Sequence, residues 1–403
     1  MTKSAASVVV VSRHRAAALT RCVVALTQQD HPLFEVIVVA DPAAIAAVKA
    51  LDLPLKLVSF DEANISAARN AGLQLAAAPV VAFIDDDAVA EPTWLSRLSA
   101  PFANAKVVAA TGFIRGRNGF SFQWQACEVD AQGIDHHIDI KEETLRDGTT
   151  ERAVKTQGTN CAFRRDALLE IGGFDPGYRF YLDEADVNLR LASHGLTAIV
   201  PQAQVHHGYE ASERRAANRV PLSLYDIAAS TAIFLRRHAP TSDFSAALQR
   251  LSVREAARIA THRRAGRINA DAELALLSSL TKGWAAGLAQ PLPVLTPQLP
   301  SPPPLLPLPA GPRPGLILAG RIWQKRRLLK QAKSAAQSHI VTVICLSPTA
   351  KPHKLCFQPE GFWLQTGGLF GQSVRQGPRL RLIRFRHRIA TEAARLANFR
   401  AIS

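Results

Sequence analysis

Val80-Val81-Ala82-Phe83-Ile84 runs directly into Asp85-Asp86-Asp87. A short apolar run rich in β-branched residues reads as a buried strand of the kind found inside parallel sheets. Three carboxylates at its C-terminal end are costly unless something compensates them. A divalent cation, which prefers hard oxygen ligands and often brings phosphate with it, is the usual compensation. Ligands of open α/β sheets gather at the C-terminal ends of strands. The stretch therefore points to a metal–phosphate site at a strand tip, against the plainer reading of a solvated acidic turn.

Strand and helix alternate on the N-terminal side of this stretch. Residues 7–11 read as a strand ending in Ser12-Arg13-His14-Arg15, with a helix over about 16–29. A second strand, 34–40, closes on Asp41-Pro42 and is followed by a helix (43–51), a third strand (55–60) and an Ala-rich helix (64–77) carrying Ser66, Arg69, Asn70 and Gly72. Alternation with short connections predicts a mostly parallel sheet covered by helices on both faces. Asp41 sits at a strand tip as Asp85–Asp87 do. Its oxygens could accept from a nucleotide base or ribose, or it could serve an Asp-Pro turn.

On the C-terminal side, Pro92 lies in the first turn of a helix containing Trp94-Leu95, and 106–112 resembles a strand. Residues 115–155 are polar and irregular, an excursion that could cover the site; His136-His137 within it has no third metal ligand at useful spacing. A short helix over 164–171 is closed by Gly172-Gly173. Asp183, Glu184 and Asp186 open a further helix, where the dipole alone favours acids and where a carboxylate could equally act as general base. A last strand over 197–205 runs into His206-His207, suited to metal or phosphate or simply a polar strand end.

The order of these features resembles family 2 of the inverting nucleotide-sugar glycosyltransferases, which have the GT-A fold. The matching pieces are residues 8–15, the 36–41 strand, Ile65-Ser66-Ala67-Ala68-Arg69-Asn70-Ala71-Gly72, 83–87 with Pro92 and Trp94-Leu95, 158–165, Gly172-Gly173-Phe174-Asp175, 183–191 and 201–207. They span roughly residues 5–210, and their sequence of occurrence is more specific than any one of them.

The resemblance implies an enzyme that moves a sugar from a nucleotide-diphosphate donor, expected to be a UDP-sugar, to a saccharide or lipid-linked acceptor with the help of Mn2+ or Mg2+. Ser12, Arg15, Asp41, Arg69, Asp85 and Asp86 would serve the donor, with Asp41 at the base and Arg69 near the diphosphate. Asp87 and Asp85 match the family's DxD pair, with His207 as a distal metal ligand; side-chain alternation from Pro201 through Ala203 and Val205 favours His207, and His206 is the alternative. Gly158, Thr159, Asn160 and Asp186 would line the sugar or acceptor pocket. The base is Glu184 or Asp183: the family usually has Glu-Asp here, and this chain has the order reversed. The first strand departs too, ending in Ser-Arg-His-Arg. That ending, without a glycine-rich phosphate loop, also argues against a nicotinamide-dependent dehydrogenase.

The 403-residue chain carries a net charge of +15, unevenly spread: residues 1–200 sum to −5 and residues 201–403 to +20. The basic half suits an anionic surface. Helices are expected over 212–237, broken at Pro221, and over 244–267 and 269–287. Residues 291–314 hold 11 of the 25 prolines and read as a linker or extended segment. A very basic helix over 315–338 and strands at 340–346, 354–357, 361–365 and 380–385 complete the chain. The expected organisation is a GT-A catalytic domain (1–210), a helical extension (211–290), the proline-rich linker (291–314) and a basic helix with a small β-rich module (315–403). No apolar run approaches the length of a membrane span, so the expected location is the cytoplasm, with peripheral contact at the inner face of the membrane through the basic half or, alternatively, a helical cap with a solvated basic side. Nucleic acid is not an expected partner. Two other readings compete: a non-catalytic nucleotide-sugar or glycan binder on the same fold, and a polyanion-binding scaffold dominated by the basic half.

Overall fold

The two central strands have no solvent side. Val8, Val10, Ala82 and Ile84 face one apolar core, and Val9, Val11, Val81 and Phe83 face the other. Burial on both faces is why these strands read as unbroken apolar runs rather than alternating ones. The computed structural model describes residues 4–208, 210–298 and 301–402. Its first four strands are β1 (Ala6–Ser12), β2 (Phe34–Ala40), β3 (Lys56–Ser59) and β4 (Val80–Asp85), all parallel, in the order β3-β2-β1-β4. Helices α1 (Ala16–Leu26), α2 (Pro42–Lys49) and α3 (Ile65–Leu75) make the crossovers. The α/β class is as the sequence predicts.

Beyond β4 come β5 (Ala88–Ala90), α4 (Trp94–Ser99), β6 (Val107–Arg115), β7 (Phe122–Trp124), β8 (Cys127–Asp130), β9 (Asp135–His137), β10 (Thr144–Arg146), β11 (Arg152–Val154), β12 (Cys161–Arg164), α5 (Arg165–Glu170), α6 (Asp183–Leu191) and β13 (Leu196–His207). The sheet continues from β4 through β12, β6 and β13 to β10, with β12 antiparallel to both its neighbours and β13 parallel to β6. The 115–155 excursion is not irregular: β8, β9 and β11 form a small antiparallel sheet, and β7 and β10 join the main one. The decisive pairing is β5 against the end of β13, with His207 opposite Ala88 and His206 opposite Val89. It brings the last strand's histidines back to the acids that follow β4.

The second half begins with turns rather than the expected helix; α7 (Tyr225–His238) starts only after Pro221, whose missing N–H suits a break. It packs with α8 (Phe244–Arg264) and α9 (Ala270–Ala289) around Leu251, Ile259, Leu280 and Trp284. The proline-rich segment is extended, as expected, but fastened. Leu308 is buried in the first core with its N–H on Phe34 O at 2.8 Å, and the Leu306 N–H reaches the Glu35 carboxylate at 2.9 Å. Pro300, part of the expected linker, lies outside the described residues.

The C-terminal module corrects two expectations. Residues 315–321 are a strand, β14 (Gly315–Arg321), and the basic helix is confined to α10 (Lys325–Ala335). Then come β15 (Ile340–Ser347), β16 (Lys354–Phe357), β17 (Trp363–Gly368) and α11 (Phe385–Arg400). The strand order is β14-β15-β17-β16 with the first three parallel, so the module is α/β rather than β-rich. The alternating 380–385 stretch finds no strand partner beyond one bridge, Leu380 to Gly371, and leads into α11 instead. Leu355, Phe357, Trp363 and Leu396 of the module pack with Ala25 of α1, Val89 of β5 and Phe120 of the β6–β7 connection, which fixes it against them.

Candidate active site

Asp85 ends β4, and Asp87 follows in the turn to β5. Asp85, Asp87 and His207 each present a ligand atom within 4.8 Å of the others, the one such group among the described residues. His207 Nε2 lies 3.2 Å from Asp87 Oδ1 and 3.9 Å from Asp85 Oδ2. Its Nδ1 is 3.3 Å from Gln123 Oε1, a contact that orients the ring. Burial opposes ionisation of Asp87, but the hydrogen bond and charge of His207, with Arg15 and the Glu210 N–H, outweigh it and hold its carboxyl well below the usual range. Asp85 is 30% exposed and opens the group to solvent. Two carboxylates and an imidazole with one accessible side make a donor set that fits Mn2+ or Mg2+.

A second acidic pair faces this group across Arg69. Tyr181 and Leu182, which precede α6, have φ values of +78° and +66°. Such backbone costs on the order of 1–3 kcal/mol per residue. The packing of Leu182 against Val129, Tyr178 and Phe234 holds it in place. The turn presents Asp183 and Glu184 to Arg69 of α3, whose buried guanidinium bonds Asp183 Oδ2 and donates to Glu184 Oε1 at 3.0 Å. Its Nη2 is 3.8 Å from Asp85 Oδ1. One cation therefore links the carboxylates of α6 to those of β4.

The two members of the pair differ. Burial and the neighbouring Glu184 push the Asp183 carboxyl well up, whereas Arg69, working against burial, holds Glu184 down. The Glu184 side chain is 18% exposed and that of Asp183 only 3%. Glu184 is thus the ionised, reachable carboxylate. It has room because residue 158 is glycine: a Cβ there would fall 1.8 Å from Glu184 Oε1 and 2.1 Å from Arg69 Nη2. Both are side-chain ends, but Arg69 is buried and held by Asp183 and Glu184, so Gly158→Ala is expected to fold with a lowered melting temperature as the two groups shift. If Glu184 is the base, a displacement of about 1 Å there costs roughly 10²-fold, and steady-state kinetics of the variant checks for a loss of that order.

Residues 7–172 match the family described as glycosyl transferase family 2. They are a family 2 domain. A 121-residue stretch is 32% identical to a glucosyl-dolichyl phosphate glucuronosyltransferase of Haloferax volcanii, covering 28% of this chain and 34% of that protein, so the chain spans about a third of this relative's length. Among solved structures, the mannosyltransferase PcManGT of Pyrobaculum calidifontis in complex with GDP-Man and Mn2+ is similar over 70% of this chain and 87% of its own, at 18% identity and a TM-score of 0.42. GalNAc-T7 with UDP, GalNAc and Mn2+ is similar over 58% and 48%, at 17% identity and a TM-score of 0.44.

The remaining expected site residues divide. Asp86 is buried. It accepts from Ser12 Oγ at 2.6 Å and Arg15 Nε at 3.0 Å, and burial, opposed by Arg15, pushes its carboxyl up to about 7. Ser12, Arg15 and Asp86 therefore satisfy one another, tying β1 to the acidic turn. Asp41 caps α2, accepting from the Ala43 and Ala44 N–H groups at 3.1 Å, and takes the His14 N–H at 2.7 Å, so the Asp-Pro turn is present at this strand tip. The Thr159 hydroxyl is buried with no partner. Asn160 is engaged on every side, donating to Phe113 O at 3.0 Å and Ala203 O at 2.9 Å and accepting from Trp94 Nε1 at 2.8 Å. Asp186 is buried against Arg190 and against His238 at 2.9 Å, which fastens α6 to α7. Asn160 and Asp186 thus have no free polar atom to offer a sugar, because full burial makes each satisfy its hydrogen bonds within the fold.

His206 is not part of the Asp85, Asp87 and His207 group. Its Nε2 lies 2.8 Å from Glu91 Oε1, and Glu91 also binds Arg400 through two contacts of 2.8 Å. Neither Glu91 nor Arg400 stands out as a functional residue in the sequence: they are 309 positions apart, and nothing local marks them as partners. His136 is engaged elsewhere, on Asp130 at 2.8 Å.

Proposed function

We propose that this chain is a metal-dependent inverting glycosyltransferase, moving a sugar from a nucleotide-diphosphate donor, most simply a UDP-sugar, to a hydroxyl of a saccharide or lipid-linked acceptor. The observation that carries the reading is the convergence of two acidic groups on Arg69: Asp85, Asp87 and His207 on one side, Asp183 and Glu184 on the other. Asp85, Asp87 and His207 would hold Mn2+ or Mg2+, and the bound ion would supply Lewis-acid stabilisation of the diphosphate leaving group. Arg69 adds fixed positive charge between donor and base. Glu184 removes the proton from the acceptor hydroxyl, which attacks the anomeric carbon opposite the departing diphosphate. A diphosphate leaves without protonation, so one base suffices where a glycoside hydrolase needs an acid as well.

Calorimetric titration with UDP, with and without Mn2+, tests the donor site. Metal-dependent binding that disappears in Asp87→Ala supports the reading. Equal binding with and without metal, or in the variant, defeats it. The second reading is a nucleotide-sugar or glycan binder without turnover, favoured by the Arg69 clamp on both candidate bases and by the Asp-Glu order. It predicts nucleotide binding with no release of nucleoside diphosphate in the presence of any acceptor.

A further inference from the structure

Residues 315–403 contain sixteen Lys and Arg but only two acids, Glu360 and Glu392. Glu392 is buried and paired with Arg388 and Arg395. The surplus positive charge therefore has almost no partner of its own, and it sits beside apolar side chains that the fold leaves in water. Trp323 is 71% exposed and Leu382 84% exposed, with Leu380 and Ile322 also open. Single exposed apolar residues need no explanation. Here, however, the two segments that carry them meet.

The Arg321 guanidinium stacks 4.4 Å from the centre of the Phe385 ring, and Ile383 and Phe385 pack with Ile317, Leu346 and Leu369. The 380–386 stretch therefore alternates, with Ile383 and Phe385 turned into the module and Leu382, Arg384 and Arg386 turned out. On the other segment α10 buries Leu328 and Ala332 and exposes Arg326, Arg327, Lys330 and Lys333. A tryptophan and leucines set among arginines and lysines, on a surface without acids, match the chemistry of a lipid interface: the apolar groups enter the headgroup region while the cations meet anionic headgroups. A nucleic acid would use the charge but would leave Leu380 and Leu382 in water. Among the described residues no helix is long and apolar enough to cross a membrane, so this contact would be peripheral.

We propose that the edge of the C-terminal module formed by residues 321–333 and 380–386 is a docking surface for an anionic lipid bilayer. The inference stands on this edge alone and is independent of the glycosyltransferase reading. The test is co-sedimentation of the full chain with vesicles of phosphatidylcholine alone or with a quarter phosphatidylglycerol, at low and high salt. The expected result is binding to the anionic vesicles only. Arg326→Ala with Arg327→Ala should weaken it on the order of thirtyfold at low salt. Trp323→Ala with Leu382→Ala should weaken it by about tenfold and make the remainder fully salt-sensitive. Thermal melting checks that each variant is folded, and Leu382→Ala alone, at a largely exposed position, serves if the double variant is not. Absence of binding to anionic vesicles overturns the proposal. So does binding unchanged by the apolar substitutions, or a short DNA duplex that displaces the vesicles while holding the Trp323 and Leu382 variant as tightly as the parent.

Discussion

Glu184→Gln is expected to lower kcat by roughly 10²- to 10⁴-fold, the range that positioned general bases contribute, while UDP affinity stays within a few-fold of the parent. The substitution keeps size and hydrogen-bonding shape and removes only the ability to take a proton. Asp183→Asn is the matched comparison. Burial and the neighbouring Glu184 push the Asp183 carboxyl well up, so an amide there removes less charge than an amide at Glu184 does. The expected loss is much smaller, and the Arg69 contact to Glu184 should survive it. A reversed pattern, with Asp183→Asn crippled and Glu184→Gln active, would assign the base to Asp183. The pH profile is a second readout. Arg69 holds the Glu184 carboxyl below its ordinary value, which is about 4.3. The base form should therefore persist from neutral pH down to that region, and kcat should fall only below it.

Much of the site is legible in the sequence because its residues sit where strands end. The run into Asp85–Asp87 is a buried strand meeting solvent, and alternation along the last strand favours His207, which the structure places beside Asp87 while His206 lies on Glu91. Asp86, Asn160 and Asp186 carry residue types as suggestive as those of the Asp85, Asp87 and His207 group, but each is buried and spends its polar atoms on the fold. Sequence spacing cannot distinguish a carboxylate facing a ligand from one facing an arginine inside the protein. The C-terminal module shows the same limit at the level of elements. Gly315-Leu316-Ile317-Leu318 becomes a strand because it finds Ile340–Val343 in parallel register, 25 residues on, whereas the 380–385 stretch has the better strand alternation but pairs only through the Leu380–Gly371 bridge. Strand formation depends on a partner as much as on propensity, and the partner is set by tertiary structure.

Arg400→Ala is expected to destabilise the protein by about 3–5 kcal/mol, the cost of leaving a buried charge without its partner. Arg400 is fully buried. It holds both oxygens of Glu91 at 2.8 Å, donates to Thr342 Oγ1 at 3.0 Å and lies 3.8 Å above the Trp363 ring. The residue thus joins the C-terminal module to the turn after the acidic cluster and, through Glu91, to His206. Because His206 and His207 are consecutive on β13 and pair with β5, loosening this contact should also weaken the metal-dependent nucleotide binding proposed for the Asp85, Asp87 and His207 group. Glu91→Ala should destabilise by a similar amount. A double-mutant cycle should give strong coupling, because the second substitution removes the charge that the first left stranded. Acid should weaken the same node. Burial, against the pull of Glu91, lowers His206 to about 4, from an unfolded value near 6.5. Between these values the unfolded chain binds more protons than the folded one, so stability contributed by a neutral His206 is present above pH ~6.5 and lost as pH falls toward ~4. Glu91, held far below its ordinary value chiefly by Arg400 against the opposing effect of burial, adds a second loss below pH ~4.3. Urea denaturation of the parent and Arg400→Ala at pH 7, 5 and 4 reads both effects. The stability difference should be largest at pH 7 and shrink below pH ~4.3 as Glu91 takes up a proton, whereas a constant difference would mean that Arg400 acts through packing on Trp363 alone.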